Sequence, residues 1–255
     1  MKPGSFANNF VAFMLLAFAA MPAWAAGGIG KVIHVTGTVV ARLADGSMKV
    51  LSPNSEVRPE DVVTTEKNSV VRIKFSDGGQ LTLRPETRMK IDAYHYEEAK
   101  PEEDSMLFSL LKGGLRAVTG LIGKRGNRDA YKAKTPNGAI GIRGTRYGML
   151  LCRTDPETKL NNCAGLISGK GGAAGEPPED GLYVDVTEGS IVLTNNAGSL
   201  VVNLGQSSHA ADAEMPPTLL DVNPGLQRVL PSDLAEHPGA TSVLGTHSDA
   251  ACQIQ

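Results

Sequence analysis

Between Gly30 and Ile91, apolar and polar residues alternate in short runs that turn-forming residues separate. A period of two residues is typical of strands with one buried face. The alternation predicts six strands, at Val32–Val35, Thr38–Leu43, Met48–Leu51, Val70–Phe75, Leu81–Leu83 and Met89–Ile91. We therefore expect this part of the chain to be all-β.

Two Asp-Gly pairs predict hairpins within this pattern, one in Ala44–Ser47 and one in Ser76–Gly79. Asp-Gly supplies the positive φ angles that tight hairpin turns require. The acidic segment Glu97–Asp104, which contains a proline, is predicted to link the first strands to the next unit. The run that follows, Ser105–Lys112, is too short for its periodicity to distinguish a strand from a helix.

A weak internal repeat joins the two ends of the β-rich region. Val35–Leu51 and Val186–Leu204 each read as a strand, a glycine-containing turn and a second strand. Repeated strand units of this kind favour a β-sandwich or a short β-helix-like stack of hairpins, and two copies do not decide between them. Residues 168–181 are rich in Gly, Ala, Pro and Glu and are predicted to form an exposed loop inserted between two strands.

The strand pattern fades after Gln206, where prolines interrupt any long element. The predicted β domain therefore covers residues 30–206. Residues 207–255 are predicted to be an acidic, proline-containing tail, largely irregular and mobile.

The first 25 residues have the pattern of an export signal. Lys2 precedes an apolar stretch, Phe10–Ala20, and small residues at Ala23 and Ala25 precede a cleavage point. An uncleaved signal anchor is the alternative, although the stretch is shorter than the ~20 residues of a membrane-spanning helix. No later segment is apolar enough to span a bilayer, so we expect a periplasmic or secreted protein with no integral membrane segment after cleavage.

Composition narrows the function only slightly. The chain has 25 basic and 27 acidic residues. Removal of the predicted signal takes away only Lys2, which leaves 24 minus 27, a net charge of −3. This balance excludes a globally basic nucleic-acid binder.

The cysteines predict one disulfide. Cys152 and Cys163 flank a polar loop, and in an oxidising compartment they can staple a hairpin, with two unpaired buried thiols as the alternative. Cys252 is left over near the C-terminus. Neither Cys152 nor Cys163 has a histidine or second cysteine at ligand spacing, so no metal site is expected.

Positive charge is concentrated between residues 112 and 146. Nine cations in this span face only Asp129: Lys112, Arg116, Lys124, Arg125, Arg128, Lys132, Lys134, Arg143 and Arg146. Such an excess suits an anionic glycan, a phosphate-bearing lipid head group or an acidic protein. The alternative is a set of solvated positions, partly neutralised by Glu97–Asp104. Nucleic acid is not expected, because only Tyr131 and Tyr147 interleave with the charges as stacking platforms.

The candidate binding residues in this span are Lys124, Arg125, Arg128, Arg143 and Arg146. Arg143 lies in Gly141-Ile142-Arg143-Gly144-Thr145, where flanking glycines predict a tight bend or a close backbone approach. The arginine can bind carbonyls or a carboxylate with its fork of donors. A purely structural role for this motif, as a turn and strand in the core, is the alternative to direct ligand contact.

Five motifs together resemble the FecR domain over about Gly30–Gln206. In order they are Gly37-Thr38-Val39-Val40, Asp61-Val62-Val63-Thr64-Thr65, Phe75-Ser76-Asp77-Gly78-Gly79, Gly114-Leu115-Arg116-Ala117-Val118-Thr119-Gly120 and Thr135-Pro136-Asn137-Gly138-Ala139-Ile140-Gly141-Ile142-Arg143-Gly144-Thr145-Arg146. The resemblance implies an all-β fold in which Ser105–Lys112 leads into a strand. Family members of the iron-transport type span the inner membrane, bind a sigma factor on the cytoplasmic side and receive a signal from an outer-membrane receptor.

This sequence departs from that plan, because only about nine residues precede the apolar stretch. We therefore expect a binding or signalling module for an envelope protein rather than a transmembrane regulator. A module that binds carbohydrate or an anionic cell-wall polymer is the alternative.

Catalytic patterns are weak. Ser207-Ser208-His209 with Asp212 falls in the predicted tail, as do His237, His247 and Asp249, and a mobile tail is a poor holder for catalytic or metal-binding groups. His95, between two tyrosines, is interpreted as a packing residue. We expect no enzymatic activity and no cofactor.

Overall fold

The computed structural model describes residues 27–127, 129–167 and 178–226. The predicted signal at 1–25, Arg128, most of the loop at 168–181, and Cys252 with the rest of 227–255 lie outside the described residues.

The described residues form fifteen strands and one short 3-10 turn. The strands are β1 (Gly30–Thr36), β2 (Val39–Arg42), β3 (Met48–Val50), β4 (Glu56–Val57), β5 (Val62–Thr65), β6 (Val70–Phe75), β7 (Gln80–Leu83), β8 (Arg88–His95), β9 (Ser105–Val118), β10 (Tyr131–Thr135), β11 (Gly138–Cys152), β12 (Gly181–Asn195), β13 (Gly198–Asn203), β14 (Ser207–Ala210) and β15 (Thr218–Leu219), and the turn is Pro101–Glu103. The protein is all-β, as the sequence predicts, and no described helix is long and apolar enough to cross a bilayer.

All fifteen strands belong to one hydrogen-bonded sheet. Its main path runs β15-β14-β12-β11-β10-β9-β7-β6-β1-β4, and β2, β3, β5, β8 and β13 branch from it. The long strand β9 is the main branch point, because it pairs with β7, β8, β10 and β11. Nearly all pairs are antiparallel, and β9 with β10 is parallel. Ser105–Lys112 is therefore strand, as the resemblance implied.

The main apolar core contains residues from most strands of this sheet. Alternate residues of the long strands point into it, including Phe108, Leu110, Tyr147 and Met149, all fully buried. Phe108 also packs edge-on against Tyr131, with ring centroids 6.2 Å apart. Burial of each large apolar side chain contributes about 2 kcal/mol, so the alternation predicted from the sequence is also the main source of stability.

Both predicted Asp-Gly hairpins are present. Gly46 closes the turn between β2 and β3, and Gly78 closes the turn between β6 and β7. Their φ angles are +84° and +85°, values that favour glycine. Hairpin turns thus set the register of the first half of the sheet.

The predicted disulfide is also present, between Cys152 and Cys163, whose Cα atoms are 5.5 Å apart. The two cysteines belong to a second, smaller apolar cluster with Leu150, Tyr183 and Leu226. This cluster lies apart from the main core and holds the loop that follows β11.

The predicted domain end at Gln206 is wrong. Strand β14 follows immediately, all four of its residues are buried, and it pairs with β12. Strand β15 then pairs with β14. The sequence conceals this edge of the sheet because Ser207, Ser208 and His209 are polar and show no apolar alternation, yet they are at most 3% exposed.

Candidate functional site

A buried carboxylate, Asp77, organises the loop at residues 119–127. Its Oδ1 accepts a hydrogen bond from the Gly79 N–H at 3.0 Å and one from the Tyr94 hydroxyl at 3.3 Å, and its Oδ2 accepts from the Ile122 N–H at 3.3 Å. Burial raises the pKa of Tyr94 well above its usual value, so the hydroxyl remains a donor. Asp77 therefore ties the β6–β7 turn to the loop.

Gly120 lies directly against the β6–β7 turn, with no room for a side chain. A Cβ at Gly120 would meet the Asp77 carboxylate and the Gly79 amide nitrogen, at distances that real Cβ atoms do not adopt. Only glycine allows the loop to start against the β6–β7 turn.

Two threonines fasten the same loop to β11. The Thr119 hydroxyl accepts the Thr145 N–H at 2.8 Å, and the Thr119 N–H donates to the Thr145 carbonyl at 3.1 Å. Thr145 in turn donates its hydroxyl to the Ser190 carbonyl at 2.8 Å. We call Asp77, Gly79, Thr119, Gly120 and Thr145 the junction; each is buried or tightly packed.

The junction positions a basic cleft. A cavity of about 550 Å³ is lined by residues 123–127 of the loop and by Arg143 and Gly144 of β11. Gly144 has a φ of +60°, and a Cβ there would lie 3.3 Å from Cγ of Lys124. The bend predicted from the flanking glycines is therefore present at Gly144, and it lets the lysine side chain lie against β11.

Two cations of the cleft are available to a ligand. Lys124 and Arg143 are both exposed, and neither has an ion-pair partner within the described part of the chain. An arginine fork can bind a carboxylate or phosphate through two parallel hydrogen bonds, and a nearby ammonium adds a point charge. The cleft can therefore hold an anionic group.

Arg125 lines the cleft but is already engaged. Its Nε donates to the buried Asp104 carboxylate at 3.0 Å, and its two terminal nitrogens donate to the carbonyls of Glu98 and Glu97 at 2.9 Å each. Its guanidinium also lies 4.9 Å from the centre of the Tyr96 ring. The structure thus uses Arg125 to fasten the acidic segment, and its charge is neutralised there.

The other predicted residues are separated by the fold. Arg146 makes an ion pair of 3.6 Å with Glu188 and does not line the cleft. Ile142 points into the core and is 1% exposed, while Gly141 lies on the opposite face. Ile142 and Thr145 of the five-residue motif are therefore structural, and Arg143 is exposed at the cleft. Direct ligand contact by Arg143 stays a prediction.

Lys132 and Lys134 are not among the binding residues predicted from the sequence. Both are exposed on β10, and Ala133 between them is fully buried. Period-two alternation across residues 131–134 was the signal that could have placed both lysines on one outer face.

The interpretation of His95 as a packing residue is wrong. Its side chain is half exposed at the end of β8, with Nε2 3.8 Å from Glu103. His95, Glu97 and Glu103 could together offer three ligand atoms to a cation. The Lys100 ammonium already lies 3.5 Å from Glu97 and 3.6 Å from Glu103, so the arrangement is a surface ion-pair group.

His209 also has a structural environment. Its Nε2 lies 2.9 Å from the Asp180 carbonyl, and its ring packs on Tyr183 with centroids 4.4 Å apart. Burial raises the pKa of Tyr183 to about 12. Ser207-Ser208-His209 is thus part of the sheet and not of a mobile tail.

Comparison with known proteins finds one family similar to the central part of the chain. A family model described as "FecR protein" matches residues 60–168. The match contains all five junction residues and both free cations of the cleft. Residues 60–168 are therefore similar to the FecR family, in agreement with the motifs.

Two crystal structures of a "putative anti-sigma factor" from Parabacteroides distasonis are similar in structure. Their sequence identity to this chain is 13%, and the TM-scores are 0.41 and 0.40. The alignments cover 66% of this chain and 62% of theirs, so the chain spans less than two thirds of those proteins. No curated protein matches the sequence.

Proposed function

We propose that this FecR-domain protein is a non-enzymatic binding or signalling module of the bacterial envelope, and that it engages an acidic protein partner through the basic cleft. The FecR domain supports a signalling role. The observation that carries the proposal is the contrast between two neighbouring arginines: Arg125 is fully engaged within the chain, whereas Arg143 faces the cavity beside Lys124 without an ion-pair partner among the described residues.

The lining of the cleft supports binding rather than catalysis. Its described residues are glycines, cations and Asn127. They supply charge and shape, but they include neither a carboxylate nor a hydroxyl that could serve as general base or nucleophile. Binding without chemistry fits this composition.

An extracytoplasmic location fits the chemistry of the chain. The buried Cys152–Cys163 disulfide is of a kind that persists in oxidising compartments. The export pattern in the first 25 residues points the same way. We therefore propose that the module acts in the periplasm or outside the cell.

The test is in-cell crosslinking of the tagged full-length chain, followed by affinity capture and mass spectrometry. The variant is Lys124→Glu with Arg143→Glu, which reverses the free charges and leaves Arg125 in place. The matched control is Lys31→Glu with Lys74→Glu, two exposed lysines that face each other on β1 and β6.

We expect an acidic envelope protein to be captured by the wild type and by the control but not by the cleft variant. Equal capture by all three overturns the use of the cleft. If cell-wall polymer is recovered in place of a protein, and only the cleft variant loses it, the protein partner is wrong and the module binds an anionic glycan.

A further inference from the structure

We propose that the outer face of β10 and β11 binds an extended acidic peptide segment whose acidic side chains occur at every second position. This inference deepens the proposed function and rests on it, because it names the chemistry of the partner. The surface consists of Lys134, Lys132, Arg143 and Lys124, and we call it the cation row.

The first three members of the row share one face of the sheet. Ala133, Ile140 and Ile142 are at most 1% exposed and point into the core. Side chains alternate along a strand, so the residues between and beside them, Lys132, Lys134 and Arg143, point outward. All three are exposed, which agrees with that geometry.

Strand register arranges these cations at regular intervals. Lys134 is opposite Ala139 and Lys132 is opposite Gly141. Arg143 lies two residues beyond Gly141, on the adjacent strand. Two residues of a strand span about 7 Å, so the charges follow one another along the strand direction at steps of about 7 Å.

Lys124 extends the row into the cleft. Its Cγ would be 3.3 Å from a Cβ at Gly144, the residue after Arg143. The row therefore begins on the outer face of β10 and ends at the cavity, and Gly141 leaves the surface beside Lys132 free of a side chain. A Cβ at Gly141 would meet nothing nearer than the Val192 carbonyl at 4.0 Å.

No carboxylate neutralises the row within the part of the chain that the structure describes. None of the four cations has an ion-pair partner there. The carboxylate of Asp92, which flanks the row across β9, accepts a hydrogen bond of 2.6 Å from Ser109 and lies 3.5 Å from Lys90. Like charges held close together repel, and an anionic partner removes that repulsion.

An extended peptide matches the row in period. Its alternate side chains project from one face at intervals of about 7 Å, the same interval that separates the cations. Across the strands from Gly141, on the same outer face, lie Val192 of β12 and Val201 of β13, and Val201 is 53% exposed. A peptide can therefore add apolar contacts beside its acidic ones.

The test compares two synthetic peptides with the purified full chain at low ionic strength. One peptide repeats Ser-Glu, and the other has the same composition with all glutamates in one block. Binding is measured by fluorescence anisotropy for the wild type, for Lys132→Gln with Lys134→Gln, and for the control Lys31→Gln with Lys74→Gln. Polyphosphate is the non-peptide probe.

We expect the alternating peptide to bind several-fold more tightly than the block peptide. Lys132→Gln with Lys134→Gln should weaken binding of the alternating peptide about tenfold, as expected for the loss of two exposed charge pairs. The control Lys31→Gln with Lys74→Gln should leave this affinity unchanged. Equal affinity for both peptides overturns the proposal, as does full binding by the Lys132→Gln, Lys134→Gln variant. If polyphosphate binds and neither peptide does, the peptide proposal is wrong and the row binds a linear polyanion of another kind.

These outcomes are separable from the proposed function. Lys132 and Lys134 do not line the cleft, so their replacement tests the row alone. If in-cell capture depends on Lys124 and Arg143 but the two peptides bind equally, the cleft is retained and the peptide pattern is wrong. If no variant affects capture, the proposed function itself is wrong.

Discussion

The junction and the cation row are adjacent in the fold but differ in what surrounds their polar groups. In the junction, Asp77 and Thr145 are at most 5% exposed, and their side chains are hydrogen-bonded within the chain. In the row, Lys132, Lys134 and Arg143 are exposed and have no ion-pair partner within the described residues. The junction thus supplies shape, and the cation row supplies charge that remains available.

Changes in the junction should therefore be detected by unfolding measurements, and changes in the row by binding measurements. A junction residue that is changed should lower the free energy of unfolding, because buried polar groups lose partners or buried space is overfilled. A row residue that is changed should leave stability nearly unaltered and reduce binding.

The largest effect is expected for Gly120→Ala. The added methyl group would overlap the Asp77 carboxylate and the Gly79 amide, so we expect a loss of about 3 kcal/mol in the free energy of unfolding. Urea denaturation measures it. Gly198→Ala is the control, because nothing lies within 4 Å of a Cβ there. Equal stability of the two variants would contradict the description of the junction.

Removal of the disulfide should have the next largest effect. Cys152→Ala with Cys163→Ala removes a crosslink between residues that are 11 positions apart in the sequence. We expect the free energy of unfolding to fall by about 2 to 3 kcal/mol, as measured by urea denaturation. At temperatures where this variant is folded, its affinity for the alternating peptide should equal that of the wild type. If peptide affinity falls with stability, the row is not independent of the second apolar cluster.

Arg125→Gln should have a smaller effect on stability, of about 2 kcal/mol. The change leaves the buried Asp104 carboxylate without its ion pair, and such a carboxylate is costly to keep charged. Lys124→Gln is the matched control, because Lys124 is exposed and has no ion-pair partner among the described residues. This variant should change the free energy of unfolding by less than about 0.5 kcal/mol. Thermal and urea unfolding of the two variants measure the difference, and equal losses would place Arg125 with the free cations.

The smallest effect is expected for Glu188→Gln. Its ion pair with Arg146 is 3.6 Å long, and the glutamate side chain is 63% exposed. Exposed pairs of this kind contribute little, so the free energy of unfolding should change by less than about 0.5 kcal/mol. A loss above about 1 kcal/mol in urea denaturation would show that this pair contributes to stability as the junction residues do.

The sequence predicted the parts of the fold that depend on local patterns. Period-two alternation located β1, β2, β3, β6, β7 and β8 but missed the short strands β4 and β5, and the Asp-Gly pairs located two hairpins. The Cys152–Cys163 disulfide was predictable because its two residues flank one loop. Strand β14 was missed, because buried Ser207, Ser208 and His209 carry no apolar signal.

The candidate site was predicted less completely, because its chemistry depends on contacts between distant segments. Charge alone placed Arg125 among the binding residues, whereas its partner Asp104 lies 21 residues earlier in the chain. Charge also failed to separate Arg146, which pairs with Glu188, from Arg143, which faces the cleft. The order of the cations in the row depends on the register of β10 with β11, which their composition does not reveal.

The central claim is that the free cations beside the junction bind the partner while the junction only holds them in place. The most direct measurement is crosslinked capture of the partner by Lys124→Glu with Arg143→Glu, with the urea midpoint measured on the same variant. The account predicts a wild-type midpoint and loss of capture. Full capture at a wild-type midpoint would contradict it.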